Sequence, residues 1–185
     1  GVASREMPER ALATEAILSD LLIMSQFEDK SGDEQAHSSF IGRVLGECAT
    51  AVMQVPAGGY DIGAGTSAIV AWNGSEQAAR AVRATLPVLA MAETVTLFTS
   101  GALDRNKVGA SEAAAYLASH GISADIHDVP KGGEPGERLL QEARERDAGL
   151  IVMGAYGRSR LAERLLGGTT QYVVGAADRP IIFHG

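Results

Sequence analysis

Apolar residues along this chain fall in short runs, separated by segments with a helical period. Residues 66–72, TSAIVAW, are apolar with little alternation, the pattern of a strand buried on both faces. Asn73-Gly74-Ser75 then turns the chain, and Ser75 is suited to cap a helix that starts near Glu76 and that Pro87 should break or kink. Residues 94–99 predict a second strand. Lys107 to His120 predicts a helix stopped by Gly121, and Ile122 to Val129 a third strand. Gly136 to Arg146 reads as a helix with Leu139, Leu140 and Ala143 facing inward and its charges facing solvent. Leu150 to Met153 is the fourth strand, Gly168 to Ala177 a helix, and Pro180 to Phe183 the fifth strand. This alternation predicts an α/β domain: a parallel five-stranded sheet with helices on both faces. A ligand belongs at the C-terminal strand ends, at the switch point between the first and fourth strands.

The first third of the chain repeats the last. Displaced by 129 positions, SDLLIMS (Ser19 to Ser25) overlays AGLIVMG (Ala148 to Gly154). At the same offset VLGECATAVMQV (Val44 to Val55) overlays VVGAADRPIIFH (Val173 to His184), without gaps. The period is about one domain. Residues 1–56 therefore read as the C-terminal half of a degenerate copy, 57–65 as a linker and 66–185 as a complete second copy. The opening strand–helix–strand–helix–strand unit of the first copy is expected upstream of residue 1 or lost. Residues 26–39, QFEDKSGDEQAHSS, are polar and charged and predict a flexible loop.

Chemistry concentrates in residues 151–170, IVMGAYGRSRLAERLLGGTT. A buried strand ends in Met153 and Gly154, Gly157 follows, then Gly167, Gly168, Thr169 and Thr170 at a helix entry. Glycines let backbone N–H groups approach a phosphate, and a helix N-terminus adds unpaired donors and a positive dipole end. Glycines that merely make tight turns are the plain alternative. The spacing is neither that of a Walker P-loop nor that of a Rossmann fingerprint.

Gly-x2-Gly-x9-Gly followed by hydroxyl residues, after a buried strand ending in Met, resembles the nucleotide-binding motif of the universal stress protein family. Gly154, Gly157 and Gly167 match it; Gly168 departs from it, where the family usually has Ser or Thr, and Thr170 falls where a second hydroxyl often stands. Residues 66–100 resemble the family's first strand, helix and second strand, with Asn73 where nucleotide-binding members carry Asp. The resemblance implies an adenine nucleotide alpha hydrolase-like fold with strand order 3-2-1-4-5. It implies a base pocket at Ala71, Trp72, Asn73 and Thr99, and ribose and phosphate contacts from Met153 to Gly157. It also implies phosphate contacts from Gly167, Gly168, Thr169 and Thr170. The ligand implied is ATP or AMP, with Mg²⁺ or Mn²⁺ able to bridge phosphates. Arg158 can pair with a terminal phosphate or simply be exposed. Asn73 can also be only a turn residue, and Trp72 can stack on a base or pack in the core. At the 129-position offset the first copy has Ser25, Glu28 and Ser38 in place of the three glycines, so no phosphate is expected there. The family associates through its last strand, so a homodimer or an internal pseudo-dimer is expected, with Ala51 to Val55 near Ile181 to Phe183.

Composition trims the alternatives. The chain has 185 residues, 45% hydrophobic and 21% charged, enough for a real core. A net charge of −7 without a basic cluster argues against a nucleic-acid partner. A lone Cys48 excludes an intrachain disulfide, and no apolar run approaches the roughly 20 residues of a membrane span. A polar N-terminus without a signal-peptide pattern makes the cytoplasm the expected compartment. His37, His120, His127 and His184 lack metal-ligand spacing, and His127 and Asp128 should point to opposite faces of their strand. The expected function is a nucleotide-binding stress-response module that signals or scaffolds. A non-binding stress protein acting through dimer or partner contacts, and a slow ATPase, stay open as alternatives.

Overall fold

The computed structural model describes residues 7–26, 34–63, 65–101, 103, 106–155 and 167–185. Its elements are α1 (Pro8–Glu15), β1 (Leu21–Ser25), α2 (Glu34–Glu47), β2 (Ala51–Val55), β3 (Ser67–Ala71), α3 (Glu76–Leu89) and β4 (Val95–Ser100). They continue with α4 (Ala110–Ser119), β5 (Ala124–Val129), α5 (Pro135–Glu145), β6 (Ala148–Gly154), α6 (Gly168–Ala176) and β7 (Ile181–His184).

The strands form one seven-stranded sheet in the order β1-β2-β7-β6-β3-β4-β5. Five of them are mutually parallel and, numbered one to five from β3, run β5-β4-β3-β6-β7, which is the order 3-2-1-4-5. The sheet is wider than the expected five strands because β2 pairs antiparallel with β7, placing Val52 opposite Phe183 and Met53 opposite Ile182. β1 then adds parallel to β2. The two halves share a register: Leu22 faces Val52 and Ser25 faces Val55, while Ile151 faces Ile181 and Gly154 faces His184.

Strand alternation divides the core into two layers. On one face Ile69, Phe98, Ile151, Met153, Ile181 and Phe183 meet α2 through Ile41 and Val44, α5 through Leu139 and Leu140, and α6 through Val173 and Val174. On the other, Val70, Leu97, Val152 and Ile182 meet α3 through Ala81 and Val82 and α4 through Leu117. Small residues at Ala78, Ala81 and Ala113 let α3 and α4 lie close to the sheet.

Two local expectations change. Residues 34–39 are not loop but the opening of α2, whose buried Ile41, Val44 and Leu45 supply a helical driving force that the polar segment alone does not show. Residues 27–33 lie outside the described residues. Pro87 does not end α3, which runs on to Leu89. The buried face of that helix, with Leu89 only 1% exposed, outweighs one lost hydrogen bond. Cys48 is half-buried and packs against the core.

A polar clamp fixes the start of β6. Arg179, 9% exposed, donates to the carbonyls of Ala143 at 2.8 Å and Ala148 at 2.6 Å. It also pairs with Asp178 at 2.9 Å, and Arg144 reaches the other Asp178 oxygen at 2.8 Å. The Arg179 hydrogen bond, helped by Arg144 and both charges against a smaller cost of burial, holds the Asp178 carboxyl down at about 2. Because the folded value lies below the unfolded 3.8, the stabilisation is complete above about pH 4 and is lost as pH falls through 2. Asp178→Asn should cost about 0.5–1 kcal/mol at pH 7, the scale of a partly exposed pair. Thermal melts of both proteins should differ most near neutrality and converge toward pH 2.

Candidate functional site

A cleft of about 430 Å³ opens at the C-terminal ends of the central strands. Ala71, Trp72 and Asn73 border it from β3, Phe98 and Ser100 from β4, and Met153 and Gly154 from β6. Thr169 and Thr170 of α6 and Pro135 of α5 also border it, with Lys131, Gly132 and Gly133 from the loop between β5 and α5. Leu103 and Leu139 complete the lining. Seven of the residues singled out from sequence thus share one cavity: Ala71, Trp72, Asn73, Met153, Gly154, Thr169 and Thr170.

The turn after β3 is tightly built. The Asn73 side-chain oxygen accepts the Ser75 N–H at 3.1 Å, and Ser75 Oγ accepts from Ala78 N–H at 3.2 Å, capping α3. Gly74 has φ +67, and a Cβ there would lie 2.6 Å from the Val108 carbonyl. Trp72 is only 5% exposed and donates its indole N–H to that carbonyl at 3.0 Å. Its side chain therefore packs in the core layer of α3 and α4, while the residue also borders the cleft.

Gly154 is fixed by packing. A Cβ on it would stand 2.5 Å from Ala78 N and 2.6 Å from Gln77 C, so the glycine lets β6 end against the first turn of α3. Gly136 plays a similar part between helices: its Cβ would lie 3.0 Å from the Thr169 carbonyl, so the first turns of α5 and α6 sit together at the cleft. Gly167 is the N-cap of α6 and offers no side-chain acceptor. The first intrahelical bond runs from Gln171 N–H to the Gly167 carbonyl at 2.8 Å, leaving the amides of Gly168, Thr169 and Thr170 without acceptors inside the helix. Gly168 is exposed and a side chain there would meet nothing within 4 Å.

Thr99 does not line the cleft. It is buried and donates its hydroxyl to Asp128 at 2.6 Å across the β4–β5 pair, while its neighbours Phe98 and Ser100 face the cavity. Strand alternation carries that distinction, since a base pocket on the face of Phe98 skips residue 99. His127 and Asp128 do face opposite ways: His127 lies 3.0 Å from Glu142 and Asp128 holds Thr99. Gly157 and Arg158 lie outside the described residues. The 130–135 loop was missed in the sequence, although Lys131-Gly132-Gly133 at a strand end is a βα-loop signal. Arg138 fixes this loop through the carbonyls of Pro130 and Gly132.

Charge and metal chemistry are limited. Among the described residues lining the cleft there is one cation, Lys131, and no carboxylate or histidine. No group of three His, Cys, Asp or Glu is placed to hold a metal among the described residues. No helix of those residues is long and apolar enough to cross a membrane.

The sequence profile described as "Universal stress protein family" matches residues 67–183, which is β3 through β7 with every strand that borders the cleft. The chain belongs to the universal stress protein family. A universal stress protein of Methanocaldococcus jannaschii is 30% identical over 61 residues, 33% of this chain and 38% of that protein. A universal stress protein structure from Archaeoglobus fulgidus superposes with TM-score 0.71 at 17% identity, covering 96% of this chain and 64% of that one. The chain thus spans less than two thirds of the length of either relative. A universal stress protein in complex with cAMP superposes with TM-score 0.50 at 24% identity, covering 66% of this chain and 99% of that one. At these identities the structural likeness establishes the fold.

Gly154, a motif glycine, and Gly168, which departs from the motif, should respond oppositely to substitution. Gly154→Ala should cost about 1–3 kcal/mol, because backbone of α3 rather than a flexible side chain stands in the way. Gly168→Ser should be neutral or stabilise by up to about 0.5 kcal/mol, since the space is open and glycine is a poor helix residue. Urea denaturation of the two variants measures both.

Proposed function

We propose that this universal stress domain binds an adenine nucleotide, ATP or AMP, and serves as a stress-response signalling or scaffolding module. The carrying observation is the cleft: in a chain of net charge −7, its described lining has no carboxylate, a cation, and the first turn of α6 at one side. Phe98, Leu103, Leu139 and Met153 give the apolar surface that a base needs. Thr169, Thr170 and the free amides of α6 give donors for phosphate. A relative of this fold is known in complex with cAMP, which supports the same ligand class here. Gly157, Arg158 and Gly167 extend the proposed phosphate contacts.

The chemistry favours occupancy over turnover. The described lining offers no base to activate water, and a divalent ion would have to rest on phosphate oxygens and water. Binding without extra stabilisation of a transition state does not accelerate a reaction. Asn73 already spends its side-chain oxygen on Ser75 N–H, which favours the turn role over a metal role.

We also infer that residues 1–56 are the C-terminal half of a degenerate second copy, 57–65 a linker and 66–185 the complete domain. The shared register supports it, as do matching single bonds: Gln26 N–H to the Val55 carbonyl at 2.6 Å and Ala155 N–H to the His184 carbonyl at 2.9 Å. The antiparallel contact is centred on Met53 opposite Ile182, themselves 129 positions apart. An interface in which equivalent residues oppose each other is what two-fold association produces. Ser25 stands where β6 has Gly154, so a helix packed like α3 would meet its Cβ, which fits loss of the ligand site in that copy.

Calorimetry on the whole chain should detect ATP or AMP binding, and Ser100→Trp, which fills the cleft from β4, should abolish it with the fold intact. Unchanged affinity in that variant refutes the site. Phosphate release from ATP should stay far below about 1 s⁻¹, the low end for enzymes. For the second copy, residues 57–185 alone should form a dimer through the bared edge of β7, and Ile182→Asp should return it to a monomer in sedimentation. A relative superposed over 99% of its own length on 66% of this chain supports the choice of that unit. A truncated chain that stays monomeric overturns the pseudo-dimer.

A further inference from the structure

The backbone and hydroxyl groups of β6 and α6 leave one charged side chain of the cleft without a role. Lys131 lies two residues beyond the end of β5 and lines the same cavity as Thr169 and Thr170 of α6. Its stem is seated: Gly101, at φ +77, has no Cβ, and one would lie 2.8 Å from Lys131 Cβ. Gly101 N–H holds the Val129 carbonyl at 2.9 Å, so the end of β4 and the start of this loop are tied together. Arg138 ties the loop from the other side through the carbonyls of Pro130 and Gly132. The ammonium itself has no hydrogen-bond or ion-pair partner among the described residues, and no carboxylate lines the cleft beside it.

Lys131 is exposed, but the first carbons of its side chain are seated against Gly101 at the rim of the cleft. It lines a cavity whose described lining has no carboxylate and which Thr169 and Thr170, in the first turn of α6, also border. Lysine is a compact point charge suited to phosphate oxygens, and it pairs with them without demanding one geometry.

We propose that Lys131 makes the cleft select its ligand by anionic charge, pairing with the phosphate chain of a bound nucleotide so that affinity rises from nucleoside to monophosphate to triphosphate. This rests on the nucleotide reading of the same cleft and adds a residue outside the glycine motif. Lys131→Met keeps the stem against Gly101 and removes only the charge; Lys131→Arg keeps the charge.

Calorimetry with adenosine, AMP and ATP on the whole chain, at low and moderate salt, separates the outcomes. Wild type should bind ATP more tightly than AMP and AMP more tightly than adenosine. Lys131→Met should weaken ATP about three- to tenfold, AMP less and adenosine not at all, and should flatten the salt dependence. Lys131→Arg should stay within about twofold of wild type for ATP, since the charge is retained. Equal ATP affinity in wild type and Lys131→Met at low salt overturns the proposal, and so does an equal loss for adenosine, which marks a base contact or packing instead. Wild type that binds none of the three overturns the nucleotide reading, and Lys131 as its selector falls with it. Binding of all three with no effect of Lys131→Met overturns the role of Lys131 alone.

Discussion

The handedness of strand–helix–strand crossovers is the constraint on which this molecule depends. Such connections between parallel strands are right-handed because of the twist of strands and helices. From β3 the chain moves through α3 to β4 and through α4 to β5, and both helices lie on one face. To reach the other flank of β3 it must return along the opposite face, through α5 to β6 and α6 to β7. At the boundary of β3 and β6 the chain leaves in two directions. The cleft is the consequence, and it needs no dedicated element to make it.

What the boundary leaves open, glycines make narrow. Gly154 lets the end of β6 meet the backbone of α3, and Gly136 lets α5 meet α6. Both glycines are explained by contacts within the protein, with van der Waals limits of a few tenths of an ångström. The same close packing brings helix amides and the Lys131 loop to one rim. Structural and ligand-directed roles therefore coincide at these positions, and a motif of this kind is not evidence for phosphate by spacing alone.

The antiparallel pairing of β2 with β7 solves a second problem. β7 is apolar over its first three residues, Ile181, Ile182 and Phe183, all fully buried. As a sheet edge it would present unpaired amides on a hydrophobic strand, a template for uncontrolled association. Here β2 takes that edge, Gln54 reaches the Val174 carbonyl at 2.8 Å, and α2 packs beside α6 on the same layer. β1 is the edge that remains on this side of the sheet, and it is less buried, with Ile23 61% exposed.

The sequence by itself determined the elements of the second half, their order, and the two apolar faces, because periods of two and 3.6 are local properties of the chain. It also carried the 129-position correspondence, since apolar positions that pack alike must recur alike. Only tertiary structure decided the rest. Residues 34–39 are helical because burial further along α2 propagates back through them, and Pro87 stays in α3 because its neighbours are buried. Thr99 turned away from the cleft because alternation fixes sides only once the position of the cavity is known. The Lys131 loop entered the site for the same reason: β5 lies beside β4 in the sheet although thirty-odd residues separate its loop from Phe98 in sequence. Proximity of that kind is a product of strand order, and strand order is set by long-range pairing that no local pattern encodes.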